Sequence, residues 1–235
     1  MFTLATVNRS FGSIPIIITI MTTLITNGCT QGVVTFTGGS SSLRVFNAQT
    51  KVSLMDMKID SVMRFSSLRN GDLTDRVSVS SGVFHLFQCQ SSSDSSLAGL
   101  IVTQRYMMGD GASYTMVVRG SGITDFIKPV LDSAISPFAD KAALRIINAT
   151  DTSYCDVYVN NVKINGIVAE AQSASRLYPV EPGRVICETR DHYNSTTIHT
   201  DTISLNTNTC YHMFVYDAIT GAGTQRTVRT IPVNQ

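Results

Sequence analysis

The chain has 235 residues, enough for two domains of about a hundred residues each. Only 15% of the residues are charged and tryptophan is absent, while Ser and Thr are abundant, which favours strands and turns over helical bundles. The first 28 residues include Arg9 and no acidic residue, so the remainder has 17 basic and 17 acidic side chains. This neutral balance argues against a nucleic-acid partner, which would require a basic face.

The N-terminal residues have the composition of an export signal. Arg9 precedes an apolar run at residues 14–25 that is long enough for a signal-peptide core and too short to span a bilayer comfortably. The small residue and Cys29 that follow resemble the lipobox of bacterial lipoproteins, although Thr26 stands where that motif prefers Leu. We therefore predict a signal peptide over residues 1–28 and lipidation of Cys29. The predicted location is the bacterial cell envelope, on the outer membrane or cell surface; the alternative is a secreted or periplasmic protein.

Residues 29–42 are predicted to form a tether. Their last six residues, Thr-Gly-Gly-Ser-Ser-Ser, have little capacity to join a core and suit a flexible connection. The first predicted partner is thus a membrane, held through the lipid anchor, since several acyl chains bind a bilayer firmly. Residues 33–37, Val-Val-Thr-Phe-Thr, are strand-like and offer an alternative, in which this segment is donated to a neighbouring copy.

Two copies of one pattern follow the tether. LRVFNA at residues 43–48 matches LRIINA at residues 144–149 at an offset of 101. The strand-like segments that begin at Tyr114 and Tyr211 match at an offset of 97. Residues 156–160, DVYVN, alternate between polar and apolar side chains, which is typical of a strand with one buried face. Matches in the same order with so small a drift indicate a tandem repeat.

The repeats predict an all-β fold of two tandem immunoglobulin-like or transthyretin-like β-sandwich domains, each with seven short strands. The first sandwich is predicted over residues 43–129 and the second over residues 143–235, joined by a linker at residues 130–142. Because this linker contains Pro137 and is not rich in Gly or Ser, it is expected to be semi-rigid and to hold the two sandwiches end to end.

Four motifs of the second repeat, LRIINAT, DVYVNN, YPVEPG and YHMFVYD, resemble the bacterial domain-of-unknown-function family four-three-nine-seven. Members of that family are extracytoplasmic, often lipoproteins, and commonly carry the domain in tandem. Residues 144–216 match best, whereas the first repeat has DMKID at residues 56–60 in place of the family's D-V-Y-V-N pattern. The resemblance implies an exported tandem protein. Its motifs are structural, so it assigns no catalytic residue.

The histidines give little support for catalysis or metal binding. There are four of them, His85, His192, His199 and His212. No pair has the spacing of a helical metal site, and the chain contains neither C-x-x-C nor G-x-S-x-G. His212 lies in a predicted strand, and packing or a surface position is expected for it in preference to metal ligation. The weaker alternative for the others is that His192 and His199 meet Asp191 and Asp201 across a hairpin. We predict no catalytic residue, no metal site and no cofactor.

Asp56 and Asp156 occupy equivalent places at the start of the second strand of each repeat. A cation or ligand site is one interpretation of this pair. The favoured one is structural, with each carboxylate accepting hydrogen bonds from backbone N–H groups of the turn before it.

The cysteines other than Cys29 leave two alternatives open. Export permits disulfides, and one bridge could form among Cys155, Cys187 and Cys210, with Cys89 left free. The other alternative, held equal, is that all four are reduced and buried.

The sequence as a whole favours a non-enzymatic cell-envelope lipoprotein that acts as a binding or structural module for a protein or glycan partner. Two alternatives remain. One is a structural subunit that assembles by strand exchange. The other, which has no nucleophile or paired-carboxylate motif behind it, is an extracytoplasmic hydrolase with a site between the domains.

Overall fold

The computed structural model describes residues 38–120, 125–132, 136–150, 154–164 and 174–233. The predicted signal peptide, Cys29, the strand-like residues 33–37 and most of the predicted tether lie outside these ranges. Within them the chain is almost entirely strand, with a single 3₁₀ turn at Leu97–Gly99. No helix in the described part of the chain is long and apolar enough to cross a membrane.

Each repeat contributes eight strands. Those of the first repeat are β1 (Ser40–Asn47), β2 (Leu54–Ile59), β3 (Val62–Arg69), β4 (Val77–Ser80), β5 (Phe84–Ser91), β6 (Leu100–Met107), β7 (Ser113–Arg119) and β8 (Phe126–Leu131). Those of the second are β9 (Ala142–Asn148), β10 (Cys155–Val159), β11 (Val162–Lys163), β12 (Tyr178–Val180), β13 (Gly183–Asp191), β14 (Thr197–Leu205), β15 (Cys210–Thr220) and β16 (Gly223–Pro232).

The strands form four sheets of four, and the order in the first repeat recurs in the second. The first sandwich has sheets in the orders β4-β1-β7-β8 and β3-β2-β5-β6, and the second has β12-β9-β15-β16 and β11-β10-β13-β14. The pairs β1–β7 and β9–β15 are parallel. The prediction of an all-β chain with two tandem sandwiches is confirmed.

The expected count of seven strands per sandwich is wrong. The missed strand of the second repeat is β11, whose two residues are too few to reveal an alternating pattern. Sheets of four and four strands also differ from the constant type of immunoglobulin sandwich, which has four and three.

Three strands extend a few residues beyond the predicted limits of the sandwiches. β1 begins at Ser40, β8 runs on to Leu131, and β9 begins at Ala142. Pro129 does not end β8 because this strand lies at the edge of its sheet, where a residue without an N–H group is tolerated.

Both copies of the Leu-Arg-x-x-Asn-Ala motif end their strand in the same way. The side-chain oxygen of Asn47 accepts the backbone N–H of Gln49 at 3.2 Å, and that of Asn148 accepts the N–H of Thr150 at 3.1 Å. An Asn that turns back onto its own backbone two residues later is a common way to close a strand. The repeated Asn is therefore a structural residue.

Each sandwich buries a core between its two sheets. The first core is built on apolar residues of all eight strands, among them Leu43, Val45, Met55, Met57, Phe87, Met116 and Val118. The second is built on residues of β9, β10 and β12 to β15, among them Leu144, Ile146, Val157, Val185, Met213 and Val215. Each of these sets alternates along its strand, as sheets with an inner face require.

A third buried cluster joins the two sandwiches. It contains Phe46, Ala48, Val117 and Val130 from the first sandwich and Ile147, Ala149, Phe214 and Ile231 from the second. These eight residues are four equivalent pairs, at the same offsets of 101 and 97 that relate the repeats. The outer faces of sheets β4-β1-β7-β8 and β12-β9-β15-β16 thus pack on each other, and the expectation of an end-to-end arrangement is wrong.

An aromatic stack lies at the middle of this interface. The rings of Phe46 and Phe214 are 4.0 Å apart between centroids and inclined by 19°, and Tyr216 meets Phe46 edge-on at 5.2 Å. Such pairs add stabilisation beyond the area that they bury.

A loop of the first sandwich reaches over this interface. The Asn70 side chain donates to the carbonyl of Asp217 and accepts the N–H of Ile219, both at 3.1 Å. The next residue, Gly71, has φ of 84°, and a Cβ there would lie 2.7 Å from the Tyr216 hydroxyl. Only glycine fits this turn, for conformational and steric reasons.

The interface predicts that the two sandwiches unfold together. Phe214→Ala should lower the free energy of unfolding by about 3–5 kcal/mol, because it leaves a cavity in a fully buried stack. It should also split a single urea transition into two. Phe84→Ala is the control, since Phe84 is exposed and its loss should cost less than about 0.5 kcal/mol. A single unchanged transition for Phe214→Ala would contradict the coupling.

Candidate functional site

The most concentrated polar cluster of the described residues lies at the interface between the sandwiches, around Asp132. Asp132 follows β8, and its side chain is 1% exposed. Its carboxylate accepts a hydrogen bond from Arg76 Nη2 at 2.7 Å and another from the Thr115 hydroxyl at 2.9 Å. Arg44 Nε lies 3.9 Å from the same carboxylate and donates to the Thr115 hydroxyl at 3.1 Å.

The second sandwich adds the equivalent residues to this cluster. Arg145 is the counterpart of Arg44 and donates to the backbone carbonyl of Leu131. His212 is the counterpart of Thr115, fully buried, with Nδ1 3.5 Å from the Asp132 carboxylate, beyond ordinary hydrogen-bond range. Neither ring nitrogen of His212 has a hydrogen-bond partner among the residues that the structure describes.

Among the described residues the cluster has a surplus of positive charge, because the guanidinium groups of Arg44, Arg76 and Arg145 lie around the single carboxylate of Asp132. Burial lowers the pKa of Arg44 and of Arg145, while the negative charge of Asp132 opposes that shift. Burial also lowers the pKa of His212 to about 3, helped by the positive charges of Arg145, Arg44 and Arg76. His212 is therefore neutral at physiological pH and adds nothing to the surplus.

A pocket of about 420 Å³ opens beside this cluster. It is lined by Arg76, Gly111, Ala112, Ser113, Leu131, Asp132 and, from the second sandwich, Val233. Arg76 also donates to the carbonyl of Val233 at 3.0 Å, so its guanidinium spans the two sandwiches. The pocket can accept an anionic group. The Asp132 carboxylate is hydrogen-bonded to Arg76 and Thr115, so its oxygens already have partners within the protein.

A second constellation, Ser80, His85 and Asp60, combines the three side-chain types of a hydrolase triad. His85 is buried, with Nδ1 2.6 Å from Asp60 Oδ2 and Nε2 3.3 Å from the Ser80 hydroxyl. These groups line a cleft of about 240 Å³ between the β2–β3 turn and β4. The residue types and these distances, taken alone, would suggest a serine that is activated as a nucleophile.

The hydrogen bonds exclude that chemistry. His85 Nε2 lies 2.7 Å from the backbone carbonyl of Ser80, closer than it lies to the hydroxyl. A carbonyl only accepts, so Nε2 must carry a proton and has no lone pair to take one from the serine. The group is a structural bridge between β5 and the ends of β2 and β4.

Asp60 is held in place from both sides. Its Oδ1 accepts the N–H of Leu86 at 2.8 Å. Burial is the largest single influence on this carboxyl and opposes its ionisation. The hydrogen bonds from Leu86 and His85, with the charge on His85, together outweigh burial and lower the pKa of Asp60. In the second sandwich, Asn160 accepts the N–H of Ile186 in the same way, so the turn is retained without a charge.

The two equivalent aspartates have structural partners, and those of Asp56 are not the expected ones, whereas residues 151–153 of the turn before Asp156 lie outside the described ranges. Asp56 accepts the N–H of Ser67 and the hydroxyl of Ser92. Asp156 pairs with Lys163 and lies 3.2 Å from His192 Nδ1. In the described part of the chain these partners belong to neighbouring strands and loops, not to the turn before each aspartate.

The predicted hairpin cluster of His192, His199, Asp191 and Asp201 does not assemble. His192 turns to Asp156, whereas Asp191 accepts the N–H groups of Tyr193 and Asn194 within its own turn. His199 pairs with Thr189 across β13 and β14. Among the residues that the structure describes, no group of three His, Cys, Asp or Glu side chains is arranged to hold a metal ion.

The four cysteines of the sandwiches, Cys89, Cys155, Cys187 and Cys210, are free and buried. Across β10 and β13, Cys155 is paired with Asp191 and Cys187 with Val159. Since Val159 is four residues from Cys155, the two cysteines lie about 13 Å apart. Cys210 lies in a separate cluster with Ala143 and Val233. A disulfide requires Cα atoms within about 7 Å, so the fold does not contain the bridge that was one of the two alternatives.

Comparison with protein-family models and with curated proteins gives no match. The resemblance to family four-three-nine-seven therefore stays a prediction.

Sequence reasoning missed the Asp132 cluster. The sequence places Asp132 in the predicted linker, and it indicates Arg44 and Arg145 only as matching positions of the two repeats. A signal existed, because the arginines interrupt strands that are otherwise apolar on both faces, as in Leu-Arg-Ile-Ile. A strand buried on both faces predicts that its lone charged residue meets a partner.

The cluster predicts an acid-sensitive fold. Below pH 6.5 the unfolded chain protonates His212, whereas the folded chain does not until about pH 3, so acid favours unfolding across that window. The slope is at most about 1.4 kcal/mol per pH unit. His212→Thr, which copies Thr115, should remove this component of the slope in urea titrations at several pH values.

His199→Thr is the matched control, since His199 lies on β14 outside the cluster and should keep the wild-type slope. If His212→Thr and wild type lose stability equally between pH 6.5 and pH 4, the assignment of His212 as the acid-sensitive group is wrong.

Proposed function

We propose that the protein is a non-enzymatic lipoprotein of the bacterial cell envelope, in which Cys29 anchors a rigid pair of sandwiches that binds a protein or glycan partner. The observation that carries the proposal is the position at which the fold begins. β1 starts at Ser40, only eleven residues after Cys29, and the apolar export-like run at residues 14–25 stands directly before that cysteine.

The architecture supports a binding role. Sheets β4-β1-β7-β8 and β12-β9-β15-β16 pack face to face, which gives the two sandwiches one fixed relative orientation. This preorganises any surface that the partner contacts. The hydrogen bonding of His85 supports a non-enzymatic role, because the one Ser-His-Asp group of the described residues is arranged as a structural bridge.

The interface pocket supports an anionic group as the recognised part of the partner. Arg76 faces it, two further arginines lie behind, and Asp132 is the sole carboxylate of the cluster in the described residues. An anion that entered would pair with the guanidinium of Arg76, which lines the pocket. A carboxylate or phosphate matches the planar fork of an arginine better than a neutral group does.

The anchor predicts a modified N-terminus. Full-length protein expressed in a bacterial host should lose residues 1–28 and carry acyl chains on Cys29, seen as a mass increase of the N-terminal peptide. Cys29→Ser should abolish that increase and release the protein from the membrane fraction. Thr26→Leu, which restores the residue preferred in the lipobox, is the control and should be lipidated at least as well. An unlipidated N-terminus at another residue would contradict the anchor.

The pocket predicts stabilisation by small anions. Citrate should raise the melting temperature in a concentration-dependent way, because a ligand that binds only the folded state stabilises it. In Arg76→Gln, citrate should no longer raise the melting temperature above that of the ligand-free variant. In Arg105→Gln, which replaces an exposed arginine of β6, the rise should remain. Chloride at the same ionic strength is the control for electrostatic screening, so only a rise that is specific to citrate indicates binding. An equal rise in both variants would refute the anion site.

A further inference from the structure

One end of the first sandwich exposes a group of large apolar side chains. We name it the apolar end patch. It consists of Val62 (52% exposed), Met63 (43%), Val83 (43%), Phe84 (70%) and Met107 (54%). Single exposed apolar residues are ordinary on soluble proteins, but a group at one end marks a contact with another surface.

Two members of the patch are held together by strand pairing. Phe84 and Met107 are direct partners of β5 and β6, so their side chains share the outer face of the sheet. Val83 precedes Phe84 in the same turn. Val62 and Met63 begin β3 on the neighbouring hairpin, whose turn residue Asp60 bonds the N–H of Leu86 beside them.

The chain enters the fold at this same end. The carbonyl of Gly39 accepts the N–H of Ser81 at 3.0 Å, two residues before Val83. The next N–H, that of Gly82, is bonded to the carbonyl of Met108, the neighbour of Met107. The position where the described chain begins therefore adjoins the patch.

The length of the tether limits how far this end can stand from an anchor at Cys29. Nine residue steps separate Cys29 from Gly38, which span at most about 32 Å when fully extended. A less extended chain brings the patch correspondingly closer to the acyl chains. An anchor at Cys29 therefore keeps the end at Gly39 within about 32 Å of the bilayer.

The charges around the patch suit a headgroup layer. Lys58 pairs with Met63 across β2 and β3, and Arg105 pairs with Leu86, so both stand on the outer face of the sheet. Arg64, exposed, follows Met63. Two carboxylates also lie nearby, but Asp60 is bonded to His85 and Asp110 to the Ser81 hydroxyl. Apolar side chains among basic ones are typical of surfaces that sit in the bilayer interface.

We propose that the apolar end patch docks on the surface of the lipid bilayer that carries the anchor, with Phe84 and Met107 inserted at the headgroup level. This inference rests on the proposed lipid anchor, which supplies the proximity. Docking fixes the sandwich pair at one height and orientation relative to the bilayer.

The absence of tryptophan from the chain makes a clean probe possible. Phe84→Trp places a single fluorophore in the patch, and Tyr193→Trp places one at a residue of the second sandwich that is 76% exposed. Each lipidated full-length variant is reconstituted into vesicles of phosphatidylethanolamine and phosphatidylglycerol with brominated acyl chains. The Phe84→Trp fluorescence should shift to the blue and be quenched several-fold more strongly than that of Tyr193→Trp.

A second measurement separates the patch from the anchor. In the unlipidated Cys29→Ser protein, adding Phe84→Ser and Met107→Ser should lower partitioning onto the same vesicles by about tenfold or more. If mass spectrometry finds no lipid on the wild-type protein but Phe84→Trp is still quenched, the anchor fails and the docking surface stands.

Two results would overturn the docking surface. One is equal, weak quenching of both tryptophan variants in a protein whose lipidation is verified. The other is a blue shift of Phe84→Trp that grows with protein concentration in the absence of vesicles, together with a dimer in light scattering, since a second copy would then cover the patch.

Discussion

The packing of two sheet faces around Phe46 and Phe214 is the contact on which the rest of the arrangement depends. Each repeat already has a core, so each could bury its inner faces alone. The outer faces of β1, β7, β9 and β15 are also apolar, and exposing them to water would be unfavourable. Stacking the sandwiches removes both apolar faces from water at once. It also brings the ends of β8 and β16 together, where the arginine cluster and the pocket form.

The polar cluster beside the stack has a different role from the stack itself. Buried ion pairs lose hydration that their attraction only partly restores, so Asp132 and its arginines are weak evidence for stability. They fix how one sheet lies on the other, because Arg76 of the first sandwich donates to the carbonyl of Val233 and Arg145 of the second donates to the carbonyl of Leu131. The interface uses the same patch of each repeat, as in an isologous dimer, but Thr115 and His212 break the symmetry.

Much of the fold could be read from the residues. The repeated Leu-Arg-x-x-Asn-Ala motif and the alternating DVYVN segment predicted strands that the structure contains. The layered packing was not predicted, although a signal existed in runs such as Met213-Phe214-Val215, where both faces of a strand are apolar. The candidate site could not be predicted, because Asp132 and Val233 lie about a hundred residues apart along the chain.

The sequence by itself determined the fold class, the duplication and the Asn at which β1 and β9 end, because alternation, turn residues and repeated motifs are local. It also contained the features on which the proposed anchor at Cys29 rests. Only the tertiary structure decided that the sandwiches pack face to face, that three arginines share one carboxylate, and that His85 serves as a bridge. These outcomes depend on distances and hydrogen-bond directions between strands far apart in the chain, such as the 2.7 Å from His85 Nε2 to the Ser80 carbonyl.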